Sequence, residues 1–210
     1  MNNKMLRLKR GIKLMSHYFF KEKIRGLDFS LRKLADPDKM EKGVHGYSLT
    51  TDDLISDIFK NIGITKKDNF CDVGSGKGGV LYSASKFPFN RIAGIELDKE
   101  LHNIATNNFD KLKIKNIELY NQDARNFSKY DEFNIFYFFN PFPLEIQKEV
   151  FEIIFNNIKN KKMNHFKRVC LICMNCHNDD LINSTSLFQL EKAYKEKLRN
   201  YDVRVWVCNL

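Results

Sequence analysis

The chain has 210 residues, 43% hydrophobic and 29% charged, which suits one soluble globular domain large enough for a full α/β core. No apolar run is long enough to span a bilayer, and charges interrupt Met5 to Lys23 too often for the core of a secretory leader. A cytoplasmic protein without a membrane partner is therefore expected. The net charge of +9 admits a nucleic acid or another acidic partner, but spread-out lysines amid many Asn, Ile and Phe residues also fit a biased coding composition.

Residues 1–45 read as a basic helical extension, because Leu6, Leu8, Ile12, Met15, Phe19 and Phe20 recur near helical spacing until Asp36-Pro37-Asp38 breaks the pattern. Residues 46–210 form the main domain. Gly46-Tyr47-Ser48-Leu49-Thr50 is expected to be a loop that closes over a ligand, with Tyr47 placed to donate to a reacting group. Thr50 and Asp53 resemble a capping box for a helix whose apolar face is Leu54, Ile55, Ile58 and Phe59. Strands and helices then alternate. Strands are expected over 69–73, 91–96, 116–120, 132–139 and 167–175, with helices over 80–87, 99–109 and 144–157. Residues 187–194 and 201–208 read as two antiparallel edge strands, with a helix over 187–198 as the competing reading. This order implies a doubly wound α/β fold with a mostly parallel sheet and right-handed crossovers.

The cysteines invite a metal or haem reading, since Cys170, Cys173, Cys176 and His177 spell C-x-x-C twice and C-x-x-C-H once. Residues three apart on a strand point to opposite faces, so Cys170 and Cys173 cannot share one metal. Small buried thiols are expected instead, and no metal site.

The chemistry concentrates at strand ends, where ligands bind in such sheets. The first strand runs into Asp72-Val73-Gly74-Ser75-Gly76-Lys77-Gly78, a turn whose alternate glycines let the backbone approach a flat ligand. Gly74, Gly76 and Gly79 also satisfy G-x-G-x-x-G, so the glycines alone leave a dinucleotide open, but no G-K-[ST] follows to make a P-loop. The second strand ends at Glu96, 18 positions past Gly78, where a carboxylate can accept from both hydroxyls of a ribose. Gln122-Asp123-Ala124 follows the third strand, with the acid suited to the exocyclic amine of adenine, and Asn140-Pro141-Phe142-Pro143 follows the fourth.

Taken in order, these four motifs resemble the class I S-adenosylmethionine-dependent methyltransferases, over residues 50–210. The resemblance implies a Rossmann-like, mostly parallel seven-stranded sheet with an antiparallel C-terminal strand, and S-adenosylmethionine as cofactor. It implies that Asp72, Gly74 and Gly76 lie along the methionine moiety, Glu96 on the ribose, and Asp123 with Ala124 on the adenine. Ser75, Gly78 and Leu97 would line the same site, and Asn140 would sit near the transferable methyl. Asn140, Pro141 and Phe142 resemble the (Asn/Asp)-Pro-Pro-(Tyr/Phe) motif of amino-methylating enzymes, except that the aromatic comes one residue early and the second proline follows it. The expected activity is methylation of a nitrogen on a protein, nucleic acid or small molecule. A basic nucleic-acid-binding module with a vestigial pocket and an NAD-linked oxidoreductase are the competing readings.

Overall fold

The computed structural model describes residues 22–30, 50–176, 178–196 and 200–210. Tyr47 and most of the expected N-terminal helical extension lie outside them. Within 22–30 there is one 3-10 turn, Lys23–Arg25, closed by Gly26 in the left-handed region.

Among the described residues seven strands form one sheet: β1 (Asn69–Val73), β2 (Arg91–Glu96), β3 (Ile117–Asn121), β4 (Ile135–Phe139), β5 (Arg168–Met174), β6 (Gln189–Lys195) and β7 (Asp202–Asn209). Their spatial order is β3-β2-β1-β4-β5-β7-β6. The first five pair in parallel, and β7 runs antiparallel to both β5 and β6. Strands covered on both faces need apolar side chains on both. The Asn-Phe-Cys-Asp-Val run of β1 is buried throughout, and β4 is Ile-Phe-Tyr-Phe-Phe.

Helices cover each face. On one lie α1 (Asp52–Ile62), α2 (Gly79–Ala84) and α3 (Lys99–Leu112); on the other lie α4 (Leu144–Lys159) and α5 (Asp179–Ser184). Cys170 packs in the first half of the core and Cys173 in the second, as strand alternation requires. All five cysteines are buried free thiols. Among the described residues no group of side chains could hold a metal ion, and no helix is long and apolar enough to cross a membrane.

Three expectations need correction. Thr50 does not cap α1; the N-cap is Thr51, which makes no side-chain cap bond. The Thr50 hydroxyl lies 2.7 Å from the buried Tyr137 hydroxyl, a phenol that must find a partner once removed from water. Residues 201–208 are not an edge strand, because β7 inserts between β5 and β6. The helical alternative over 187–198 is removed by β6, a mostly exposed edge strand with a register shift between Leu190 and Lys192.

Candidate active site

The sheet order reverses between β1 and β4, so the loops after these strands diverge and open a crevice at their carboxyl ends. Beyond β1 the chain turns through Gly74, Gly76 and Gly78, all at positive φ. The turn curls over the end of β2: the Gly74 and Ser75 amides both donate to the Ile95 carbonyl at 2.9 Å. Ser75 faces inward, since a Cβ placed on Gly94 would stand 2.8 Å from its hydroxyl oxygen. Gly74 is exposed.

Glu96 holds this turn from below. Its Oε2 accepts from the Gly76 amide at 2.8 Å and its Oε1 from the Asp98 amide at 2.7 Å. Glu96 is 8% exposed and Asp72 only 3%. Burial pushes the pKa of Asp72 well up, and the nearby charge of Glu96 adds to it. Burial also raises Glu96, against the pull of the Asp98, Gly76 and Leu97 amides. Leu97, beside them, is 43% exposed. Asn121, at the end of β3, donates to the carbonyls of Glu96 and Leu97 at 2.8 and 3.2 Å and joins the third strand end to the second. Asp123 caps the turn that begins at the buried Ala124, and its carboxylate is paired with Arg125 at 2.6 Å, which lowers its pKa.

The loop after β4 closes the other side. Asn140 is in the left-handed region, at φ 37. Pro141 leans on the glycine turn so closely that a Cβ on Gly74 would come within 2.5 Å of its own Cβ. Phe142 is 8% exposed and packs into the core with α4, so its ring offers no open face for stacking.

Beneath this loop lies Gln147 of α4, with no exposed surface. Its Nε2 donates to the Phe142 carbonyl at 2.6 Å and to Asn140 Oδ1 at 3.1 Å; its Oε1 accepts from Asn178 Nδ2 at 2.5 Å. A backbone carbonyl can only accept, so it fixes which end of Gln147 faces it, and that fixes the orientation of Asn140 and Asn178 in turn. Gln147→Leu should lower stability by about 2–4 kcal/mol, because buried groups lose their partners. Urea denaturation checks this, and a change below about 0.5 kcal/mol would show the network to be dispensable.

The structure therefore brings Asp72, the glycine turn, Glu96, Leu97, Asn140 and Pro141 together at the carboxyl ends of β1, β2 and β4. The methyltransferase-domain family matches residues 64–206 of the chain, about two-thirds of it. The chain belongs to the class I S-adenosylmethionine-dependent methyltransferases. A probable cobalt-precorrin-6B C(15)-methyltransferase (decarboxylating) of Thermoplasma volcanium is 28% identical over 104 residues, a match covering 48% of this chain and 52% of that protein. The chain thus aligns with only about half the length of this curated relative. Among solved structures, an RNA methyltransferase from Salinibacter ruber in complex with S-adenosyl-L-homocysteine superposes with a TM-score of 0.57 at 14% identity, covering 77% of this chain and 94% of that one. A SAM-dependent methyltransferase from Aquifex aeolicus gives 0.54 at 16% identity, covering 83% and 94%. At these identities the likeness is one of fold.

The residues present fit the cofactor of this family. Two buried carboxylates with raised pKa values are relieved by a ligand that brings positive charge and hydroxyl donors, and a sulfonium nucleoside brings both. Exposed Gly74 and Leu97 flank them and leave backbone and apolar surface for such a ligand to cover. Gln147 was not anticipated from sequence, although a glutamine on the apolar face shared with Val150, Phe151 and Ile154 was the available signal. Asn121 and Asn178 carried none.

Proposed function

We propose that this methyltransferase delivers its methyl group to a nitrogen atom held at the Asn140-Pro141 loop. The observation that carries the reading is the packing of Pro141 on Gly74, which sets the loop after β4 directly beside the turn assigned to the methionine end of the cofactor. In this reading Glu96 accepts from the ribose hydroxyls, Leu97 packs on the nucleoside, and Asp123 with Ala124 flanks the adenine. Asp72 faces the methionine part along Gly74, Gly76 and Gly78. Bound S-adenosylmethionine supplies a methyl group on a sulfonium, whose leaving group needs no acid catalyst. The protein's work is then alignment and water exclusion. Asn140, fixed by Gln147, and the Pro141 carbonyl orient the acceptor's N–H bonds so that its lone pair meets the methyl in line. The net charge of +9 favours an anionic acceptor, and five buried free thiols suit a reducing, cytoplasmic setting.

A saturating nucleoside ligand stabilises the fold by mass action, about 2.7 kcal/mol at 100 times its Kd. For a chain of this size that is a rise in melting temperature of about 5–10 °C. S-adenosylmethionine and S-adenosylhomocysteine should each produce it, and NADH should not. Incubation with a labelled methyl donor and pools of RNA, DNA and protein then identifies the acceptor. Label recovered on carbon or oxygen instead of nitrogen would overturn the nitrogen assignment.

A further inference from the structure

The loop 22–30 packs beside the glycine turn, against α2 and α3. Much of its shape comes from its own bonds. The carboxylate of Glu22, which is buried, accepts from the Phe29 and Ser30 amides at 2.8 Å each and from the Ser30 hydroxyl, and the Leu27 amide returns to the Glu22 carbonyl at 2.9 Å. Leu27 and Phe29 are buried against α2 and α3, with the Phe29 ring stacked on Tyr82 at 5.4 Å.

The loop is also tied to the turn itself. Lys77, between Gly76 and Gly78, places its buried ammonium 2.7 Å from both carboxylate oxygens of Asp28. Asn108 of α3 joins the same pieces. Its Oδ1 accepts from the Asp28 amide at 2.9 Å, and its Nδ2 donates to the carbonyls of Asp28 and Lys77 at 3.0 and 3.2 Å.

We propose that Asp28 is a positioning residue for the cofactor site, acting through Lys77 to hold the glycine turn in its binding shape. This rests on assigning the turn to S-adenosylmethionine. Glycines at positive φ have many alternative conformations and no side chain to select among them, so bonds from outside must do so. Ile95 and Glu96 supply some of them, and Asp28 and Asn108 the others. A turn that holds the right shape only part of the time binds with an affinity reduced by that fraction. The linkage runs both ways, so cofactor binding must in turn tighten the docking of the loop 22–30.

The test measures S-adenosylhomocysteine affinity by calorimetry in the full chain and in Asp28→Asn, Lys77→Met and the charge-swapped pair Asp28→Lys with Lys77→Glu. Hydrogen exchange across 22–30 is followed with and without the ligand. Each single change should weaken binding about tenfold or more; Lys77→Met should leave the ligand-free melting temperature within a few degrees, Asp28→Asn should lower it further because it strips a buried ammonium of its counter-charge, and the swap should recover part of the loss. Exchange at the Leu27 to Ser30 amides should slow when the ligand binds. Lys77→Met guards against misfolding of the first variant, since it leaves Asp28, whose side chain is 33% exposed, to water. Undiminished affinity in both single variants, or a loss matched by a collapse in melting temperature in both, overturns the proposal. So does unchanged exchange in 22–30 on binding. An unaltered chain that fails to bind S-adenosylhomocysteine overturns the cofactor assignment itself, a result distinct from the others.

Discussion

Glu96→Ala should weaken binding of S-adenosylhomocysteine by about two orders of magnitude and destabilise the ligand-free protein as well. Two losses combine. A carboxylate accepting from two ribose hydroxyls contributes about 3 kcal/mol through charged hydrogen bonds, a factor of about 100 in Kd. The same side chain satisfies the Gly76 and Asp98 amides, and leaving buried donors unpaired costs about 1–3 kcal/mol each. Calorimetry and chemical denaturation separate the two effects. Unchanged affinity would remove the ribose assignment. The substitution also carries a pH signature. Glu96 and Asp72 have folded pKa values above their ordinary ones, so they favour the fold below the ordinary carboxylate range. That contribution is lost as pH rises through the folded values. The stability of the ligand-free protein should therefore decline across this window as the pH is raised, and Glu96→Ala should flatten the slope.

Gly74→Ala should abolish cofactor binding with a smaller effect on the fold. At φ +83 an L-residue is strained by about 1–2 kcal/mol, and the added methyl would overlap Pro141 at 2.5 Å. Gly74 is exposed and Pro141 lies in a loop, so the clash is relieved by moving the loop, not by opening the core. The cost then falls on the geometry of the crevice. A loss of more than about 100-fold in affinity is expected, with a drop of a few degrees in melting temperature. Wild-type affinity in this variant would mean that the contact between the two loops is irrelevant to the ligand.

Much of this was legible in the sequence, for a physical reason. β1 and β2 lie at 69–73 and 91–96, where the apolar pattern placed them, because a strand buried on both faces writes its burial into consecutive residues. The start of α4 at Leu144 follows likewise from its helical spacing. What escaped notice depends on partners distant in the chain. The position of β7 is a choice between β5 and an outer edge, and either satisfies the same alternating pattern. Phe142 looks the same in sequence whether it faces solvent or core. The Lys77 pair with Asp28 spans 49 positions, with nothing local to announce it.

The outermost strand has a consequence for how the molecule behaves in a crowd. A β-sheet left open along one side invites another chain to add to it, the first step of aggregation. Among the described residues β6 presents such a side, with Leu190 and Tyr194 exposed along it. The irregularity between Leu190 and Lys192 spoils the flat template, and the charged side chains of Glu191, Lys192 and Lys195 make the strand costly to cover with another chain. The same strand that completes the sheet thereby discourages its growth from one molecule to the next.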